Sequence, residues 1–233
     1  MKRIIRVIES KQEALEKGKL FRWLSDESVG GHERLSFAPS MLFYLMAFKD
    51  VLGQLYRPDP YDELQRYVNA YCHEDAEHWR WYLEDLETLG YGLLSWGSSI
   101  PAFCNSVWSP ETESNRKTIF SLIEYARRCD APLFSLVLIQ IFEATGAVFL
   151  GHTRMAAAAL GLDDELNYFG RRHYEEELEH SVKSSHLAES VLNDSIYSLA
   201  GEAVEVIFGA FEEMFDCWFA HRNKYERVDG LPA

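Results

Sequence analysis

Cysteine is sparse and scattered: there are four in 233 residues, and the nearest two, Cys104 and Cys129, stand 25 positions apart. That spacing excludes a Cys-x-x-Cys metal knuckle or redox pair, and a chain of this length has no need of disulfide staples, so a reducing cytoplasm is the expected setting. Basic charge is short as well, with 23 Lys and Arg against 37 Asp and Glu and a formal net charge of −14. A surface that acidic repels phosphate backbones and anionic lipid, so nucleic acid is not an expected partner. The first residues, MKRIIRVIESKQEALEKG, set charges on both sides of a short apolar stretch, without the long apolar run and small-residue cleavage site of an export signal. Alternating runs of Val, Ile and Thr between tight turns are missing, as are repeats, low-complexity tracts and linkers. The expectation is a single all-α domain over residues 1–233.

What is present has helical periodicity. A first helix is expected over Arg3 to Lys17, then a loop with Gly30 and Gly31, then a second helix from near Pro39 through MLFYLMAFKDVLGQLY. A third should start with Asp59 as N-cap and Pro60 at the first position and run unbroken to Gly90. Residues 90–110 read as a long ordered connection able to cover a pocket, followed by a fourth helix in ETESNRKTIFSLIEYARRC. A sixth covers RRHYEEELEHSVKSSHLAESVL and a seventh SIYSLAGEAVEVIFGAFEEMFDCWFAHRNKY.

The fifth, around residues 131–150, is apolar on every side and long enough to span a bilayer of about 30 Å. Glu143 and Gln140 at its centre argue against insertion, because an ionisable group at that depth costs at least about 2.5 kcal/mol. The helix is expected instead at the middle of a bundle, with no membrane partner.

Three helices carry metal-binding residue types at ligand spacing. His173, Glu177 and His180 lie at i, i+4 and i+7, along one stripe. On the third helix Asp75 lies three residues before His78, with Glu74 as the alternative carboxylate, the spacing by which a bundle helix grips one metal ion. Between Ala131 and Leu160 the only formally charged side chains are Glu143 and Arg154. A lone carboxylate in such a helix needs a cation, a proton or a dense hydrogen-bond shell, and an arginine partner such as Arg127, Arg128 or Arg154 is the competing explanation. Imidazole and carboxylate without thiolate suit iron, manganese or zinc in a working site rather than structural zinc.

The order E-D-x-x-H-W-x-W-Y-L-x-D-L-x-x-L-G, then a lone Glu in a central apolar helix, then H-x-x-x-E-x-x-H, resembles the haem-oxygenase-like diiron oxidases across roughly Leu35 to Leu187. The resemblance implies a seven-helix bundle like that of haem oxygenase, without haem. It implies two ferrous ions held by Asp75 (or Glu74), His78, Glu143, His173, Glu177 and His180. It also implies an oxidoreductase that uses dioxygen and an external electron donor on a small organic substrate, by N-oxygenation, oxidative decarboxylation or C–C cleavage. The chain departs from the family at Glu177, where the family usually carries Asp. That longer acid leaves the bridging mode, and a single-metal site, open.

Phe43, Tyr44, Met46, Trp79, Trp96 and Trp108 are candidates for a pocket lining, of which two or three are expected to serve and the rest to be core. His32, His152, His186 and His221 read as loop, cap or surface residues, and Arg154, Arg171 and Arg172 as charge balance for the acids. Two other functions compete: a metal-free thiaminase-like hydrolase using Cys72 or Cys104, and a non-catalytic helical interaction protein. A monomer and a homodimer both fit.

Overall fold

The computed structural model describes residues 1–60, 62–184 and 191–228, with the side chains of 179–184 left aside. These residues form α1 (Lys2–Leu15), α2 (Lys19–Leu24), α3 (Gly31–Arg34), α4 (Leu42–Leu55), α5 (Glu63–Asp75), α6 (His78–Thr88), α7 (Ile100–Val107), α8 (Glu113–Arg128), α9 (Pro132–Ala159), α10 (Arg171–Ser184) and α11 (Asp194–Ala220), and among the described residues there is no strand.

The 28 residues of α9, about 42 Å at 1.5 Å per residue, make up the central helix. Its buried side chains lie all round its circumference, which is why its sequence lacks a polar face. The helices α1, α2, α5, α10 and α11 pack directly on it, while α4 and α8 pair with each other and α8 leans on α11. One continuous cluster of buried apolar side chains runs from Met1 to Tyr225. The stretches Gly31–Leu55 and Pro132–Ala159 are each long and apolar enough to cross a membrane, but 61% and 78% of their most apolar windows are buried in the protein, as in a core helix.

Aromatic rings knit α4, α9 and α11 together. Phe149 stacks on Phe215, and Trp218 stacks on Phe37 at 5.9 Å between centroids. The indole N–H of Trp218 donates to Asn115 on α8, at 2.7 Å, and the Asn115 amide donates to the Ser40 carbonyl, at 2.6 Å. A buried polar residue is tolerated here because both ends of its amide are matched.

The expected helices appear with revisions, among them a short helix, α3, in the expected loop at Gly30 and Gly31 and an extension of the central helix to Ala159. The first ends at Leu15, and α2, not expected, follows the turn at Gly18. The third does not begin at Asp59, which sits at φ 53°, in the left-handed region. Asp62 caps it instead, its carboxylate accepting from the Leu64 N–H at 2.8 Å. That helix is also not continuous, since α5 stops at Asp75 and α6 starts at His78. The connection over 90–110 contains α7 and a short 3-10 turn, Leu93–Trp96, and none of its residues lines the main cavity.

Candidate functional site

The break between α5 and α6 builds the first part of the site. Glu77, at φ −110° and ψ 0°, turns the chain. Its side chain points outward to Lys49, at 3.0 Å, and to Arg80. Asp75 and His78, on either side, are both buried, with Asp75 Oδ1 3.7 Å from His78 Nδ1. One turn before Asp75, the buried Tyr71 hydroxyl donates to its carboxylate. Glu74 and His73 are exposed, and of the two acids only Asp75 faces the cavity.

The second part comes from the start of α10. His173 is buried, and its Nδ1 lies 3.1 Å from the Tyr168 carbonyl. A carbonyl only accepts, so Nδ1 carries a proton, and in the neutral ring the lone pair is then on Nε2. The His173 ring stands edge-on to His78, with centroids 4.4 Å apart, and Trp81 stacks on the other imidazole at 4.5 Å. Glu176 Oε2 is 3.7 Å from His78 Nε2. Glu177 is buried one turn on, against Gly146 of α9. The side chain of His180 lies outside the described residues.

Glu143 supplies the third part. It is buried on α9, three residues before Gly146, and accepts from Gln140 Nε2 at 2.7 Å. Of the three arginines weighed against it, Arg127 is exposed, Arg128 pairs with Glu124 and Glu202, and Arg154 pairs with Asp163. Burial, then the charges of Asp75, Glu177 and Glu143, hold the Tyr71 hydroxyl far above the ordinary tyrosine range. Burial does the same to Tyr67, where Glu143, Glu74, Asp75 and Glu177 all add to the effect. Acids from α5, α9 and α10 thus act on the same tyrosines.

Between these parts lies a cavity with about 730 Å³ of empty space, partly open to solvent. Asp75, His78, His173 and Glu177 line it, and Phe48, Phe142, Phe149, Phe211 and Trp218 are among its apolar walls. Glu143 is not part of its lining, and Lys49 is the only Lys or Arg among the described residues that lines it. Of the six side chains expected to line a pocket, Tyr44 and Trp79 do. Phe43 and Trp96 face a separate small crevice, and Met46 and Trp108 are exposed.

Among the described residues, no three His, Cys, Asp or Glu side chains form a ready metal cage. The donors surround one end of the cavity without closing on a point. Residues that the sequence reading passed over include Tyr71, Tyr168 and Gly146. Gly146 was detectable as a glycine one turn after the lone acid of an apolar helix, where a close approach is the usual reason for keeping glycine.

The remaining candidates fall away from this centre. His152 binds Ser25 Oγ at 2.8 Å and packs on Phe21, tying α9 to α2. His221 Nδ1 donates to the Cys217 carbonyl at the end of α11, and His186 lies outside the described residues. Arg171 grips Asp163, and Arg172 lies 4.0 Å over the Trp81 ring. Cys72 is buried, which pushes its thiol up to about 12, and Cys104 is exposed; neither lines the cavity. In comparisons with known proteins, no protein-family model and no curated protein matches this chain.

Proposed function

We propose that this chain is a non-haem iron enzyme of the haem-oxygenase-like diiron type, a cytoplasmic oxidase or oxygenase that uses dioxygen and an external electron donor on a small organic substrate. One observation carries the reading: Asp75 and Glu177, from two helices, and two adjoining imidazoles, His78 and His173, are buried and line one apolar cavity, and a third buried acid, Glu143, stands on the central helix that also supplies Phe142, Thr145 and Gly146 to its wall. Three carboxylates drawn into a weakly polarisable interior raise one another's energy, and metal cations relieve that. The donor set of carboxylate and imidazole without thiolate suits iron, manganese or zinc in a working site, and iron is the member of that set that reacts with dioxygen as the proposed chemistry requires.

These five residues, with His180, are the ones that would hold two ferrous ions. When bound, the iron supplies electrons and open coordination positions for dioxygen. The protein's own contribution is preparation. The Tyr168 carbonyl keeps the His173 proton on Nδ1, so that Nε2 is the nitrogen that would coordinate. Gly146 gives Glu177 the room its extra methylene requires. The aromatic walls exclude water and receive the apolar part of a substrate.

The test is iron content after anaerobic ferrous reconstitution, followed by optical spectra on mixing with oxygen. The native chain is expected to take up roughly two irons, the stoichiometry of a bundle with paired carboxylate and histidine ligands. His173→Ala and Glu143→Ala should each lose that uptake and the oxygen-dependent spectral change. A folded native chain that takes up no iron sinks the reading.

A further inference from the structure

We propose that Asp85 is a positioning residue that sets the ring state of His173 from a different helix, an inference whose purpose rests on the function proposed above. Asp85 lies two turns after His78 on α6, is 1% exposed, and reaches across to the connection between α9 and α10. There it takes three successive backbone N–H groups. Asn167 donates to Oδ1 at 2.7 Å, and Tyr168 and Phe169 donate to Oδ2 at 2.9 Å each. Three converging N–H groups form an anion-holding nest, and only a carboxylate can accept them all.

The link to His173 runs through one peptide group. The Phe169 N–H and the Tyr168 carbonyl belong to the same planar unit, and there is no cis bond among the described residues. Holding the N–H on Asp85 therefore turns the carbonyl to the opposite side, where it accepts from His173 Nδ1 at 3.1 Å. The rest of the connection is wound tightly enough to leave this unit little freedom. A β-carbon at Gly170 would stand 2.2 Å from the Leu166 carbonyl oxygen, and the Arg171 N–H is bonded to the Asp163 carbonyl at 2.8 Å. Tyr82, one turn before Asp85, packs its ring edge-on against Tyr168 and Phe169. Thus α6 carries one candidate ligand, His78, and orients another, His173, on α10.

An anchor for the loop alone would leave the histidine tautomer untouched, so the tautomer is the discriminating readout. The nitrogen shifts of His173 are measured in ¹⁵N-histidine-labelled, metal-free protein at pH 8, above the ordinary histidine range, with His173→Gln to assign the signal. The wild type is expected to show the proton on Nδ1. In Asp85→Asn, whose amide cannot accept three N–H groups, the proton should spread over both nitrogens, and Co²⁺ affinity should fall by about 10- to 100-fold. Asp85→Glu, which keeps the charge, should recover part of both, and it carries the same readout if Asp85→Asn does not fold. A wild-type proton on Nε2, or a tautomer unchanged in the folded variants, overturns the proposal. Because the tautomer is read without metal, its failure is distinct from a wild type that takes up no iron.

Discussion

The carboxylate of Glu177 rests against the bare α-carbon of Gly146: a β-carbon at residue 146 would stand 2.9 Å from Oε1. Real β-carbons do not come so near an oxygen without one of them moving. A glycine one turn beyond Glu143 therefore lets an acid of α10 approach the backbone of α9. The pair of residues explains how a glutamate is accommodated at residue 177.

Gly146→Ala should consequently drive Glu177 from its place and weaken iron uptake by about tenfold or more, the scale of losing a well-placed supporting contact. Alanine is the better helix former by about 1 kcal/mol, so helix stability should not fall for that reason. Adding Glu177→Asp to Gly146→Ala should restore uptake, since the shorter acid clears the new methyl group. Equal iron content in Gly146→Ala and the native chain would reject the argument.

The two neighbouring acids at the end of α5 are separable by the same assay. Asp75 is buried at the cavity and Glu74 is exposed. Asp75→Asn should abolish iron uptake, whereas Glu74→Gln should bind as the native chain does. The reverse result would move the ligand to Glu74.

Asp85 also makes stability depend on pH. Burial holds its carboxyl up, at about 7, against the downward pull of the Phe169, Asn167 and Tyr168 N–H groups. That is above the unfolded value of about 3.9, so between the two values the folded chain keeps a proton that the unfolded chain releases. The contribution is full below about pH 4 and is lost as pH rises through about 7, with a slope of at most about 1.4 kcal/mol per pH unit. Urea unfolding at pH 5 and pH 8 should show the native chain losing ground to Asp85→Asn as pH rises. A constant difference between the two would refute this.

Asn115 joins α8 to α11 and to the short 3-10 turn that precedes α4. Asn115→Ala strands the Trp218 N–H and the Ser40 carbonyl in the core, which should cost about 2 to 4 kcal/mol at roughly 1 to 2 for each orphaned group. Trp218→Phe, which removes the indole N–H together with its need, should relieve part of that loss when combined with Asn115→Ala. Denaturant midpoints of the three variants decide it, and strict additivity would count against the shared bond.

Local patterns account for what was legible from residues alone. Apolar periodicity marked the helices, and an apolar run with one acid marked α9 as central, because both depend on which side chains water rejects. The spacing of Asp75 with His78, and of His173 with Glu177, put each pair on one helix face or one turn, again a local matter. The break at Ala76 and Glu77 was not legible. Helix-forming residues fill the whole stretch, and the turn is upheld from outside it, by Lys49 on Glu77 and by the burial of Asp75 and His78 on the two sides.

The sequence by itself determined an all-helical chain, its central helix, and a short set of acids and imidazoles worth watching. Only the tertiary structure decided which of those share a cavity: Asp75 rather than Glu74, Tyr44 and Trp79 rather than Trp96 and Trp108, and Glu177 through Gly146. It alone decided that Asp85, a plain acid in a helix, grips a loop 82 to 84 positions away. The reason is one of range. Periodicity and capping act within a few turns of chain, whereas a cavity, a buried carboxylate's partners and a glycine's close approach exist only where distant helices have come together.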